Sequence, residues 1–150
     1  MRLRPASVDD AGRLRGLVRD AYGKYVPRMG REPRPMTQDY AEVVRDLDVT
    51  VAEDDTGIVG MVALEFDEEE RGFMVDNVAV DPGHHGKGVG RALLEHAEAE
   101  ARRRGHPEIL LYTHSTMTEN LALYARIGYV EYDRRSSDPG EIVMMRKPLA

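Results

Sequence analysis

The residues best suited to chemistry lie in one segment, Val78 to Gly105, which begins as an apolar strand and ends as a long charged helix. Three glycines stand at alternate positions between the two, at Gly86, Gly88 and Gly90. Basic or potentially basic side chains surround them: His84, His85, Lys87 and Arg91. Cations at a helix start oppose the helix dipole, which destabilises the helix by some tenths of a kcal/mol per charge.

A bound polyanion reverses the sign of that effect. Glycines also let a phosphate approach the main chain, because no Cβ stands in the way. The alternative is a loop that needs positive φ, with basic side chains that are simply solvated. Since the loop lies between a strand and a helix, and the helix holds no acid before Glu95, the pattern favours an anion-binding loop at this helix start.

Two common phosphate-binding loops do not match this spacing. A P-loop requires Gly-x-x-x-x-Gly-Lys followed by Ser or Thr, but Lys87 is followed by Gly88. A dinucleotide fingerprint requires Gly-x-Gly-x-x-Gly, whereas the spacing here is Gly-x-Gly-x-Gly.

The elements around the loop predict a crossover between parallel strands. Apolar strands are expected at Phe73–Val80 and Glu108–His114, joined by a helix over Gly88–Arg104. Ligands in such sheets bind beyond the carboxyl ends of the parallel strands, where both the glycine loop and His114 fall. This edge is therefore the predicted binding edge.

The remaining elements complete a single α/β domain over residues 1–150 with a mixed sheet. The Pro- and Gly-rich stretch Pro27–Met36 is expected to be an irregular loop. Thr37 is expected to cap a helix that runs to Leu47, and Thr116 and Glu119 are expected to form a capping box. The other predicted elements are strand Met1–Arg4, a helix from Ser7 to Tyr22, strands Val49–Glu53 and Ile58–Phe66, a short helix ending at Gly128, and strands Tyr129–Arg135 and Glu141–Leu149.

Composition excludes several classes of protein. A net charge of −6 argues against a nucleic-acid surface, and no apolar stretch is long enough for a membrane span or a signal peptide, so we expect a cytoplasmic protein. The absence of cysteine excludes an acyl-cysteine intermediate and a thiolate zinc site. No pair of the five histidines has the spacing of a helical zinc site, so no metal is expected.

The segments "VAVDPGHHGKGVGRALLEHAEAEARRRG" and "LYTHSTMTENLALYARIGYVEY" resemble the GNAT superfamily of N-acetyltransferases. The family loop, Arg/Gln-x-x-Gly-x-Gly/Ala, is matched by His85, Gly88 and Gly90, with His85 in place of Arg or Gln. The resemblance implies a GNAT-like fold, in which helices flank a mostly antiparallel sheet with a central parallel strand pair. It also implies acetyl-CoA as co-substrate.

The resemblance further implies where the coenzyme binds. Its pyrophosphate would lie on the loop amides, and its pantetheine arm would pair like an extra strand with the main chain between the parallel strands. The expected coenzyme-binding residues are Val78, Ala79, Val80, His85, Gly86, Lys87, Gly88, Val89, Gly90, Arg91 and Asn120.

The implied reaction moves an acetyl group to a primary amine, on a small molecule or a protein, by direct attack in a ternary complex. Tyr124 matches the family's general acid, although its place on an apolar helix stripe also fits a core tyrosine. Asn120, one turn earlier, either bonds the coenzyme or supports the helix start. The family more often has an asparagine seven residues before the tyrosine, where this chain has Met117.

An alkyl amine is protonated at neutral pH, so the reaction also needs a base. Some family members have a glutamate at the position of Met74, and Asp76 faces the same way as Met74 and Val78 if the strand is regular. Asp76 is the candidate base. An ordered water chain that removes the proton, or a purely structural acid at this position, are the alternatives.

The acceptor site is expected in the first half of the chain and at the strand edge. The candidate lining residues are Tyr22, Tyr25, Met36, Tyr40 and His114. Core packing explains Tyr22 and Tyr40 almost as well. A non-catalytic acyl-CoA-binding or sensing domain is the alternative function, and whether the chain forms a homodimer stays open.

Overall fold

A seven-stranded mixed sheet runs through the computed structural model, which describes residues 1–150. The spatial order is β1-β2-β3-β4-β5-β7-β6, and every neighbouring pair is antiparallel except β4 and β5. The strands are β1 Arg2–Pro5, β2 Asp48–Asp54, β3 Gly57–Asp67, β4 Gly72–Val80, β5 Glu108–His114, β6 Val130–Ser136 and β7 Glu141–Pro148. This is the expected α/β architecture with its central parallel pair.

Helices cover both faces of the sheet. On one face α4 and α5 bury an apolar cluster that includes Leu93, Ala97 and Tyr124, and on the other α1 and α3 bury a second cluster around Leu14 and Tyr40. The helices are α1 Ala11–Tyr22, α2 Val26–Met29, α3 Tyr40–Asp46, α4 Val89–Arg103 and α5 Thr118–Arg126. No helix is long and apolar enough to cross a bilayer.

Helix α4 packs unusually close to the sheet where β3 carries a glycine. A Cβ built on Gly60 would lie 2.8 Å from Cγ1 of Val89 and 2.9 Å from Cδ1 of Leu93. The missing side chain therefore sets the depth at which the N-terminus of α4 lies on the sheet.

The two parallel strands separate along their length. Pairing runs from Phe73–Ile109 to Val75–Leu111 and then stops, although β4 continues to Val80. At the same level β4 carries a bulge, because Leu64 of β3 pairs with Val75 while the preceding residue pairs with Asn77. Asp76 is thus the extra residue, and the strand twists more strongly there.

Two expectations about the first third of the chain were wrong. The Pro-rich stretch contains α2 and a 3-10 turn at Arg34–Thr37, because proline is tolerated in the first turn of a helix. Helix α3 is capped by Asp39 rather than Thr37, since the Asp39 carboxylate accepts from the Ala41 amide at 2.9 Å.

The expected capping box of α5 is also absent. Met117 occupies the cap position, and no side chain caps the helix start. Thr116 instead contacts His114, with 2.8 Å between its Oγ1 and Nδ1 of the imidazole. The Thr116 hydroxyl therefore bonds the last residue of β5 and does not cap α5.

Candidate active site

A cavity of about 340 Å³ opens where β4 and β5 separate. Its walls are the C-terminal half of β4, the glycine loop with the start of α4, helix α5 and the end of α1. The predicted site residues that line it are Tyr22, Tyr25, Val78, Ala79, Val80, His85, Gly86, Gly88, Val89, Gly90, Arg91, Asn120 and Tyr124. Lys87, Met36, Tyr40, Asp76 and His114 lie outside this lining.

The glycine loop has the geometry of an anion cradle. Gly86 and Gly88 have φ of 77° and 81°, in the left-handed region, and a Cβ on either would meet no atom within 4 Å. The first hydrogen bond of α4 runs from the Ala92 amide to the Gly88 carbonyl at 3.0 Å, so the amides of Val89 to Arg91 have no partner within the helix. The first turn of α4 contains no acid, which leaves the positive end of the dipole uncompensated.

His84 fixes the loop to the neighbouring hairpin. Its Nδ1 lies 2.8 Å from Oδ2 of Asp81 and its Nε2 lies 3.1 Å from Oδ2 of Asp54. His85, the residue in the family's Arg or Gln position, lines the cavity beside it.

Two cations at the cavity were missed by sequence reasoning. Lys24 follows α1 and Arg126 ends α5, and both line the cavity. No local pattern marks them, because they come from elements that are distant in sequence. Together with Arg91 they place three cations in the cavity wall, although Lys24 is paired with Glu119, which also lines the cavity.

The separated part of β4 offers main-chain groups to the cavity. Ala79 and Val80 pair with Met61 and Gly60 of β3 along one edge, whereas β5 has already left the other edge. The Val78 carbonyl lies 3.1 Å from the Tyr22 hydroxyl. The edge of β4 beyond Val75 thus has no neighbouring strand on the β5 side.

Tyr124 lies at the deep side of the cavity. It is 5% exposed, its ring centroid is 5.9 Å from that of Tyr129, and burial raises its pKa well above the ordinary value. The hydroxyl therefore keeps its proton at neutral pH and can donate. Burial likewise raises the pKa of Tyr25 to about 12, and the Tyr25 hydroxyl lies 3.5 Å from Oδ1 of Asn120.

Asp76 lies on the opposite face of β4 from Val78 and Val80, which pack against the α4 and α5 cluster. Asp76 and Val78 would share a face in a regular strand, but Asp76 is the extra residue of the bulge, so the two side chains lie on opposite faces. Val78 packs toward the α4 and α5 cluster, whereas the Asp76 carboxylate is only 3% exposed and contacts Arg34, with 3.3 Å from Oδ1 to Nη1.

A chain of hydrogen bonds crosses this second face. The Tyr22 hydroxyl donates to Oδ1 of Asn77 at 2.8 Å, and Nδ2 of Asn77 donates to the Tyr40 hydroxyl at 3.2 Å. The Tyr40 hydroxyl in turn donates to the Pro35 carbonyl at 2.6 Å. These bonds hold the Tyr40 side chain in place on the face of the sheet where Asp76 lies. Met36 packs at the margin of the cluster that α1 and α3 bury.

His114 is placed away from the cavity. It is 3% exposed, and its Nε2 lies 2.8 Å from the Pro139 carbonyl while Nδ1 lies near Thr116. Nε2 thus holds the end of β5 to the segment before β7, and Nδ1 holds it to the turn before α5.

Comparison with known proteins identifies the family. A family model for the acetyltransferase (GNAT) domain matches residues 45–131. The IAA acetyltransferase of Azospirillum brasilense is 33% identical over 107 residues, which cover 69% of each chain. The chain belongs to the GNAT family of acetyltransferases, as the sequence resemblance indicated.

Other relatives match over shorter segments. Streptothricin acetyltransferase of Streptomyces lavendulae is 31% identical over 75 residues, covering 50% of this chain and 40% of that protein. The chain thus matches less than half the length of this relative. Among solved structures, the PaiA N-acetyltransferase of Thermoplasma acidophilum in complex with coenzyme A superposes with a TM-score of 0.80 at 18% identity, over 98% of both chains.

Proposed function

We propose that this chain is an acetyl-CoA-dependent N-acetyltransferase that acts on a primary amine of a small molecule or a protein. The observation that carries the proposal is one continuous cavity, which joins an anion cradle at Gly86–Arg91 to the hydroxyl-bearing Tyr124 between separated parallel strands. The names of the relatives support acetyl transfer, and one of the superposed structures contains coenzyme A.

The residues present fit acetyl-CoA. Free amides and open space at Gly86 and Gly88 suit a pyrophosphate, and three cations around them complement its charge. His85 stands where the family has Arg or Gln. This difference leaves the backbone amides of the loop in place and changes only one side-chain contact. The main chain of Val78 to Val80 would hold the pantetheine arm, and the bound coenzyme supplies the acetyl thioester.

Tyr124 would donate its proton to the departing sulfur. The leaving group is the thiolate of coenzyme A. Because a thiol has a pKa of about 8.5, this thiolate is basic enough at neutral pH to accept a hydrogen bond and then a proton. Burial raises the pKa of Tyr124, so its hydroxyl is neutral and would donate a hydrogen bond to the sulfur as negative charge develops there, with proton transfer completed as the thiolate leaves. Asn120, beside Tyr25 at the cavity wall, would orient the coenzyme or the acceptor.

The proton of the amine would leave toward the second face of β4. Asp76 is the protein group that we propose as the base, reached through the bulge, with an ordered water chain as the competing route. Arg34 contacts the Asp76 carboxylate at 3.3 Å, so an amine that uses Asp76 as base would have to displace Arg34 or share the carboxylate with it.

Replacing Tyr124 by Phe tests the proposal. We expect Tyr124→Phe to lower kcat by about 10²- to 10⁴-fold, the usual contribution of a general acid, with the Kd of acetyl-CoA unchanged. Thiol release across a panel of amines measures the first and calorimetry the second. Tyr129→Phe is the matched control, because it removes a neighbouring buried hydroxyl that has no hydrogen-bond partner.

Two results would contradict the proposal. Full activity of Tyr124→Phe would exclude the acid role. Tight binding of acetyl-CoA by the wild type without turnover of any amine would instead support a non-catalytic acyl-CoA-sensing domain.

A further inference from the structure

A row of three carboxylates crosses the face of the sheet on which Asp76 lies. Glu65 and Asp67 are two residues apart on β3 and so share a face, and Glu65 pairs directly with Met74 of β4. Asp76 follows Met74 by two residues and lies on that same face. Burial, and then the charges of Asp76 and Asp67, raise the pKa of Glu65, as expected for neighbouring acids.

The inner end of this row has unused hydrogen-bonding capacity. Oδ2 of Asp76 is fully buried and has no hydrogen-bond partner, although the carboxylate is 3% exposed. A buried carboxylate oxygen without a donor is unfavourable and rare. A ligand that donates a hydrogen bond to this oxygen would remove the penalty, and a cationic donor would also neutralise the carboxylate charge.

Arg34 is the cation that contacts the Asp76 carboxylate, and more than half of its side chain is exposed. Its Nη1 lies 3.3 Å from Oδ1 of Asp76, longer than a strong charge-assisted bond, and also contacts the Tyr112 hydroxyl. Its side chain is 56% exposed and comes from the short 3-10 turn before α3. A side chain on such a segment can swing outward without disturbing the sheet.

We propose that this row, Asp76–Glu65–Asp67, is the acceptor subsite and that it selects an amine with at least two positive charges. The inference rests on the proposed acetyltransferase function. One ammonium group takes the place of Arg34 beside Asp76, and a second lies toward Glu65 and Asp67. Glu65 lies across the β3–β4 pair from Met74, two residues before Asp76, so a short diamine can reach from Asp76 to the neighbouring strand.

Steady-state kinetics with two amines of equal carbon number tests this selection. We expect the wild type to acetylate 1,4-diaminobutane with a kcat/KM about tenfold above that for butylamine, the ratio expected from one added charge-assisted hydrogen bond. Glu65→Gln should lower the value for the diamine about tenfold more than that for butylamine. Arg34→Ala should lower the KM for the diamine, because it removes the resident cation.

Glu69→Gln is the matched control. It removes the same charge from an exposed residue of the adjacent turn and should leave the ratio of the two amines unchanged. Equal kcat/KM for both amines in the wild type, or an equal loss for both in Glu65→Gln, would overturn the proposal. An increase of KM for the diamine in Arg34→Ala would also overturn it, since Arg34 would then be helping the acceptor to bind.

A binding measurement separates this inference from the proposed function. Calorimetric titration of 1,4-diaminobutane into the protein with coenzyme A reports on the subsite even if no amine is acetylated. Binding that weakens in Glu65→Gln but not in Glu69→Gln supports the subsite. No binding to the wild type contradicts the subsite, whether or not butylamine is turned over.

Discussion

The Tyr22 hydroxyl lies 2.8 Å from Oδ1 of Asn77, deep inside the protein, and joins the end of α1 to β4 one residue beyond the bulge. The same hydroxyl lies 3.1 Å from the Val78 carbonyl. Helix α1 therefore supports the stretch of β4 that faces the cavity. Tyr22, a candidate acceptor-site residue, thus holds in place the part of β4 that we propose binds the pantetheine arm of the coenzyme.

Removing that hydroxyl should cost stability and weaken coenzyme binding. We expect Tyr22→Phe to lower the free energy of unfolding by about 1–3 kcal/mol, because the buried Asn77 oxygen loses its donor. Urea unfolding measures this loss, and acetyl-CoA titration measures the effect on β4. Tyr132→Phe is the control, since its hydroxyl bonds Glu70 at a half-exposed position; equal losses in the two variants would show that the Asn77 contact has no special weight.

The close packing of α4 on β3 should be sensitive to a single methyl group. We expect Gly60→Ala to lower the free energy of unfolding by about 1–3 kcal/mol, because overpacking forces the helix away from the sheet. The anion cradle moves with the helix, so acetyl-CoA should bind more weakly as well. Thermal unfolding and calorimetry measure the two effects.

Gly12→Ala provides the control for this change. Gly12 lies in α1, and a Cβ there meets no atom within 4 Å. That variant should gain about 0.5–1 kcal/mol from helix propensity. If Gly60→Ala were equally stable and bound the coenzyme normally, the position of α4 would not depend on Gly60.

Stability should fall in alkali. Burial raises the pKa of five core tyrosines above the ordinary value: Tyr22, Tyr25, Tyr40, Tyr124 and Tyr129. Above pH of about 10 the unfolded chain releases these protons while the folded chain retains them, so rising pH favours unfolding. Below that pH their contribution is constant.

Two probes followed together test the alkaline transition. Tyrosinate absorbance from these residues should appear with the loss of circular dichroism. Full ionisation of all the tyrosines at pH of about 11 in a folded protein would contradict the burial of their hydroxyls.

Periodicity and loop chemistry were sufficient to predict much of the fold. Alternating and helical apolar patterns located β4, α4 and β5 with ends close to those observed, and therefore the parallel crossover. The glycine loop was predicted because positive φ and a helix start without acids leave a local signature. These features depend on residues that are neighbours in sequence.

The features that escaped prediction depend on distant contacts. The bulge at Asp76 leaves the apolar pattern of β4 unchanged, so the sequence does not reveal that the condition for Asp76 to share a face with Val78, a regular strand, fails there. Lys24 and Arg126 reach the cavity only through tertiary packing. The ring of His114 is held by a carbonyl 25 residues away, which no local pattern reveals.

Calorimetric titration with acetyl-CoA tests the central claim most directly, which is that the cavity at the glycine loop is the coenzyme site. We expect one coenzyme to bind per chain, with an affinity that falls as salt rises, because cations and helix amides hold the phosphates. Gly88→Glu should abolish this binding, since it places a negative side chain at a φ of 81° in the cradle. Absence of binding to the wild type, or undiminished binding by the folded Gly88→Glu variant, would contradict the assignment.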